Sequence, residues 1–165
     1  MTTQKVEILL VEDNLDDVEL TVRALRNENL ANNIHVARDG EEALEFLFCN
    51  GAYAGRSFNC PPKLILLDLK LPKMDGMEVL KRLKADERTK TIPVVILTCS
   101  KEERDLVKGY DLGANSYIQK PVDFDQFRNT VKSVGMYWLL INQPPVTNGL
   151  RHTAEPASFA GQSTT

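Results

Sequence analysis

Residues 63–76 read KLILLDLKLPKMDG. Leu64, Ile65, Leu66 and Leu67 precede a single carboxylate, Asp68, and the chain then turns through Pro72 and Asp75-Gly76. A run this short, apolar throughout and closed by turn residues, reads as a strand buried on both faces, the kind found in parallel sheets. Asp68 then sits at the rim, between core and water. Taken alone it is an ordinary strand-ending acid that caps the next loop. Its meaning depends on what the other strand ends carry.

Residues 6–11, VEILLV, are a second run of this type, followed at once by Glu12, Asp13 and Asn14. A helix is predicted over 16–29, with Leu15, Val18, Val22 and Leu25 on one inward face and Asp16-Asp17 at its positive end. Residues 33–37 (NIHVA) form a short strand and 41–48 (EEALEFLF) a helix. Residues 49–62 are long for a connection and hold Gly51, Gly55, Pro61 and Pro62, which predicts a surface excursion. Beyond Gly76 come a helix (MEVLKRLKAD), a strand (VVIL) ending at Thr98, and a helix over 101–112 that stops at Gly113. The strand ANSYIQ then leads to Lys120-Pro121. The last helix starts near 123, with Phe124, Phe127, Val131, Val134 and Trp138 as a core stripe. From 143 the chain turns polar and proline-bearing without periodicity, so 143–165 is expected to be a disordered tail, at 23 residues too short for an output domain.

Five strands alternating with five helices predict an α/β fold around a parallel sheet with right-handed crossovers. In such sheets the site lies outside the carboxyl ends of the strands, where the strand order switches. Those ends carry Glu12-Asp13, Asp68, Thr98 and Lys120.

The bulk properties narrow the partners. With 165 residues and 42% hydrophobic content the chain can build one full core. A net charge of −3 and a pI near 5.5 argue against a nucleic-acid surface. No apolar run approaches the ~20 residues of a membrane span, and MTTQKVE lacks the apolar stretch of a signal peptide. Three scattered cysteines, Cys49, Cys60 and Cys99, contain no CxxC and fit reduced thiols in a cytoplasmic protein.

Glu12, Asp13 and Asp68 are expected to converge on one crevice. Two carboxylates ~4 Å apart repel by roughly 4 kcal/mol at an effective dielectric near 20. A cation between them relieves this. The ligands are all hard oxygens, which favours Mg²⁺ over zinc. Thr98 can donate a hydrogen bond and Lys120 brings a positive charge, so with a divalent cation they surround a phosphoryl group. A carboxylate can accept that group as an aspartyl phosphate. Asp68 ends the central strand and is the candidate acceptor, while Glu12-Asp13 is better placed to hold metal. Each residue also has a plain role: Thr98 as a strand former, Lys120 as a surface lysine, Glu12-Asp13-Asn14 as a helix cap. It is their agreement at four strand ends that is specific.

These residues resemble a response-regulator receiver domain, the CheY-like fold of two-component signalling. The likeness rests on LLVEDN, LILLDLKLPKMDG, VVILTCS and YIQKP, in that order. It implies a doubly wound, flavodoxin-like sheet of strand order 2-1-3-4-5 within a receiver domain over 5–142. It further implies phosphorylation of Asp68 by a histidine kinase, with Mg²⁺ held by Asp13, Asp68 and the Lys70 backbone carbonyl, and Glu12 acting through water. Lys120 would contact the phosphoryl group ahead of a cis peptide to Pro121. Thr98 and Tyr117 would act as the switch. Such a protein is a phosphoacceptor and not an enzyme. The insertion GAYAGRSFNCPP and the extension MYWLLI are similar to those of the small regulators paired with cyanobacterial phytochromes. That narrower likeness implies a light-sensing kinase as partner and a homodimer through the last strand and its flanking helices.

Three other readings compete. A haloacid-dehalogenase-like phosphatase needs a second Asp two residues after the nucleophile, where this chain has Lys70. A flavin carrier needs a phosphate-cradling loop after the first strand, where Glu12-Asp13-Asn14 would repel phosphate. A phosphorylation-independent binding module of the same fold is the remaining alternative.

Overall fold

A computed structural model describes residues 6–31, 33–121 and 123–143. The apolar runs form β1 (Ile8–Val11), β2 (Ile34–Ala37), β3 (Leu64–Leu67), β4 (Val94–Thr98) and β5 (Ser116–Gln119). They pair in parallel in the order β2-β1-β3-β4-β5. The helices between them are α1 (Leu15–Asn27), α2 (Gly40–Leu47), α3 (Gly76–Ala85), α4 (Glu103–Asp111) and α5 (Phe124–Met136). The five-stranded doubly wound sheet expected from the sequence is therefore the fold.

Successive side chains on a strand face opposite ways, which divides the core in two. Leu9, Val11, Ile65, Leu67, Val94 and Ile96 join one cluster with Phe46 of α2 and Val79, Leu80 and Leu83 of α3. Ile8, Leu10, Leu64, Leu66, Val95 and Leu97 join the other with Ala24 and Leu25 of α1 and Phe127 and Val131 of α5. Each fully buried side chain of this size contributes roughly 1.5–3 kcal/mol. The three central strands are buried throughout, whereas β2 and β5 are mostly half-buried edges. The centre of the sheet is thus the rigid platform, and its carboxyl edge inherits that rigidity.

Two expected core positions are exposed. Leu15 is 65% and Phe124 is 55% accessible. Each is the first residue of its helix, directly after the caps Asn14 and Asp123, where the helix overhangs the strand ends. Farther along, Thr21, Ala24 and Leu25 of α1 and Phe127 and Val131 of α5 are buried. The helices approach closely at Gly135, where a Cβ would come within 2.8 Å of Leu25 Cδ2. Beyond α5 the chain continues as a wider turn, Tyr137–Ile141, with Trp138 half-buried against the α1–α5 layer. The expected tail, 143–165, lies outside the described residues apart from Gln143.

The insertion is docked to the domain. Its short 3₁₀ turn, Gly51–Tyr53, brings the Tyr53 hydroxyl 2.8 Å from Glu42 Oε1 and 2.9 Å from His35 Nε2. The Arg56 guanidinium lies 3.4 Å from the centre of the Phe46 ring and also donates to the Phe46 carbonyl. His35 stacks on the same ring at 4.4 Å. Burial lowers the His35 pKa and raises that of Tyr53 to about 12, so both are neutral near pH 7. Arg56→Ala removes a cation–π contact and a charged hydrogen bond, and is expected to lower stability by about 1–3 kcal/mol. Urea melts of parent and variant check this, and the variant is expected to keep the parent's metal affinity.

Candidate functional site

The sheet ladder continues one residue past β1, β3 and β5 and sets the site. Glu12 N donates to Ala37 O at 3.0 Å, Asp68 N to Val11 O at 3.0 Å, and Lys120 N to Thr98 O at 2.7 Å. Glu12 and Asp68 thereby end the adjacent strands β1 and β3, where the strand order reverses: the chain runs from β1 out to β2 on one side and returns past β1 to β3 on the other. Asn14 caps α1, accepting from Asp16 N and Asp17 N, and its own N–H donates to Glu12 Oε1 at 3.0 Å. The α1 cap and the acidic pair are consequently one piece of structure.

Glu12, Asp13 and Asp68 offer carboxylate oxygens that all lie within 4.8 Å of one another. Lys120 stands among the acids. Its ammonium is 3.0 Å from Asp68 Oδ2 and 2.7 Å from Asp17 Oδ2, and it is also paired with Glu12. Glu12, Asp68 and Lys120 are all buried. Burial pushes the Glu12 carboxyl up to about 7, with the Lys120 hydrogen bond opposing the rise and the Asp68 charge adding to it. Burial pulls the Lys120 ammonium down, but hydrogen bonds to Asp17 and Glu12 and the charge of Asp68 outweigh it and hold it above the ordinary lysine value. Lys120 is charged throughout the physiological range. It supplies the positive charge that the crowded carboxylates require.

The other candidates lie around this centre. Thr98 is fully buried at the end of β4, and its Oγ1 accepts from Ser100 N at 3.4 Å. Lys70 is exposed, and its N–H donates to Asp68 Oδ1 at 3.3 Å. Tyr117 is half-buried against the core, with its hydroxyl enclosed and in no hydrogen bond. Burial raises that hydroxyl's pKa, and Ser100 is near enough to oppose the rise without reaching bonding geometry. One expectation is corrected. Among the described residues no peptide bond is cis, Lys120–Pro121 included. The Lys120 backbone is fixed by its bond to Thr98 O, and the trans X–Pro bond is the intrinsically favoured isomer by about 0.5–1 kcal/mol.

Asp17 is the residue that sequence reasoning missed at this centre. Its place in the first turn of α1 marks it only as an acid suited to a helix start. A signal for it exists: Asp17 shares the inward face of α1 with Thr21, Ala24 and Leu25, all buried. An acid on the apolar face of a helix needs a partner, and Lys120 is that partner.

A five-stranded parallel sheet with an acidic crevice and a buried lysine at its switch point defines a receiver domain. Residues 8–132 match the family described as the response regulator receiver domain, and the chain belongs to that family. It is 40% identical over 133 residues to the response regulator Rcp1 of Synechocystis sp., covering 80% of this chain and 88% of that protein. It is 43% identical over 138 residues to the probable methanogenesis regulatory protein FilR2 of Methanothrix harundinacea, covering 84% and 86%. A solved structure of the phosphorylated cyanobacterial phytochrome response regulator RcpA superposes with a TM-score of 0.80 at 42% identity, covering 86% of this chain and 99% of that one. The Mn²⁺-bound form of Rcp1 superposes at 0.79 with 38% identity and the same coverage.

The protein is therefore a response-regulator receiver of two-component signalling, a class that works with histidine kinases. Its all-oxygen donor set of Glu12, Asp13 and Asp68 fits Mg²⁺, a hard cation that keeps several waters. When bound, Mg²⁺ supplies positive charge that offsets the negative charge of a transferring phosphoryl group. Among the described residues no helix is long and apolar enough to cross a membrane.

Proposed function

We propose that Asp68 is the phosphoacceptor of this receiver, taking a phosphoryl group from the phosphohistidine of a sensor kinase in the cytoplasm. The observation that carries the reading is the Lys120 ammonium 3.0 Å from Asp68 Oδ2 in a buried ring of acids. Asp68 attacks phosphorus, and the bond to the kinase histidine breaks with its electron pair returning to the ring. Asp13, Asp68 and the Lys70 carbonyl would hold the metal, with Glu12 acting through water. Lys120 neutralises the phosphoryl oxygens. The protein assists this transfer and its reversal by water without turning over a separate substrate.

Thr98 and Tyr117 carry the signal outward. Thr98 donates its hydroxyl to the phosphoryl group, and Tyr117 follows into the space behind. Charge-assisted bonds from Thr98 and Lys120 are worth on the order of 1.5–3 kcal/mol each, and reversing a 1:99 population takes about 5.5. The two together are about sufficient. The surface that reads the change is α4 and β5 with α5. Leu106, Val107 and Tyr110 of α4 are 38%, 53% and 50% exposed. Beside them Lys101, Glu102 and Glu103 join Ser100, Leu106, Tyr117 and Gln119 around a groove of about 320 Å³. The exposed Leu106, Val107 and Tyr110, beside this charged groove, support a homodimer through β5 and its flanking helices. The likeness to RcpA, a cyanobacterial phytochrome response regulator, supports a phytochrome-type light sensor as the kinase.

The test is acetyl phosphate with Mg²⁺ followed by phosphate-affinity electrophoresis. A shifted band is expected in the parent and none in Asp68→Asn. Thr98→Ala is expected to shift like the parent yet fail to increase dimer content in sedimentation. A parent that never shifts would leave the phosphorylation-independent binding module as the reading.

A further inference from the structure

We propose that Asp17 is a positioning residue for Lys120, holding its ammonium at the mouth of the site while the other partners change. This rests on the reading of Asp68 as phosphoacceptor. An ammonium has three donors, and Lys120 spends all three on carboxylates, those of Glu12, Asp17 and Asp68. Two of these partners are not constant. Glu12 and Asp68 belong to the cluster that takes the metal, and Asp68 also takes the phosphoryl group. Asp17 lies outside that cluster, on the first turn of α1, with its side chain 26% exposed. It sits 2.7 Å from the ammonium, on a helix fixed by the Asn14 cap and by the buried Thr21, Ala24 and Leu25.

The consequence is mechanical. A lysine side chain is long and flexible, and without a constant partner it has two poor options when metal arrives. It either stays between Glu12 and Asp68, where it competes with the divalent cation, or swings out to water, where it cannot meet the phosphoryl group. Asp17 draws the ammonium toward α1. It thereby lets the metal into the acidic cluster and keeps a donor within reach of Asp68.

Mg²⁺ affinity by calorimetry and the rate of phosphorylation by acetyl phosphate test this together. Asp17→Asn is expected to weaken Mg²⁺ binding by about tenfold and slow phosphorylation by a similar factor, about the worth of one charged hydrogen bond. Asp17→Glu, which keeps the charge on a longer stem, is expected to stay within about threefold of the parent. In a Lys120→Gln background Asp17→Asn is expected to change Mg²⁺ affinity by less than about twofold, because the residue acts through the ammonium. An equal tenfold loss in that background would show a direct charge effect on the metal and overturn the proposal. Where Lys120→Gln does not fold, Asp17→Asn alone decides: parent-like affinity and rate overturn it. The site reading is judged separately, in the parent, by the band that Asp68→Asn abolishes. A parent that takes up no phosphate overturns both.

Discussion

Without divalent metal, Lys120→Ala is expected to lower the unfolding free energy by about 3–5 kcal/mol, as removal of one partner from a buried ion pair does. The parent protein already balances Glu12, Asp17 and Asp68 with one ammonium, and removing it leaves three acids facing each other. Two of them are buried, so water cannot screen them. The protein has one escape, which is to protonate Glu12. Its carboxyl stands at about 7 even with Lys120 present. It rises further when the lysine is gone. An acid whose folded pKa exceeds its unfolded value of 4.5 makes the folded state bind more protons between the two, so stability falls as pH rises through that window. The penalty for Lys120→Ala is therefore expected to be larger at pH 8 than at pH 6. Millimolar Mg²⁺ is expected to recover part of it by supplying the missing positive charge. Urea melts at both pH values, with EDTA and with Mg²⁺, check all of this. Equal losses at both pH values, unaffected by Mg²⁺, would mean that the acids are not mutually repelled.

The fold was legible because three strands advertise themselves. VEILLV, LILL and VVIL are apolar on both faces, which only a strand packed between two helical layers requires. The edge strands are legible by position more than by pattern, since IHVA and SYIQ are half-buried and of mixed character. The site was legible as a set of strand ends, but its internal bonding was not. Lys120 meets Asp68 across 52 residues and Glu12 across 108. No local periodicity reports such distances. The carboxylates alone call for a cation, and hard oxygen ligands point to a metal. The structure adds that the lysine just after β5 answers the same need. Leu15 and Phe124 misled for a related reason: a helical stripe counts residues on a face and does not say where the sheet beneath it ends. The insertion is the surface excursion that its Gly and Pro content marks, but that content is silent about Arg56 stacking on Phe46.

Gly76→Ala is expected to damage the site by steric means alone. Gly76 is the first residue of α3, its N–H bonded to Leu69 O at 2.9 Å and its neighbour Asp75 capping Met77 N at 2.7 Å. A Cβ there would lie 2.3 Å from the Asp68 carbonyl oxygen and 2.7 Å from Leu69 Cα. Both are backbone atoms of the segment that carries Asp68, the proposed acceptor, so no side chain can rotate away. Either α3 lifts off the sheet edge or the Asp68 backbone retreats. Overpacking of this kind costs about 3 kcal/mol. The functional loss is expected to be larger, because a shift of ~1 Å at a reacting group costs on the order of a hundredfold in rate. Gly55→Ala is the matched control: nothing lies within 4 Å of its added Cβ, so stability should stay within about 0.5 kcal/mol of the parent. Melts and acetyl-phosphate rates for the two variants decide the matter. If Gly76→Ala melted and reacted like Gly55→Ala, the turn after Asp68 would have slack to absorb a methyl group. A rigid placement of Asp68 against Lys120 would then no longer account for the site.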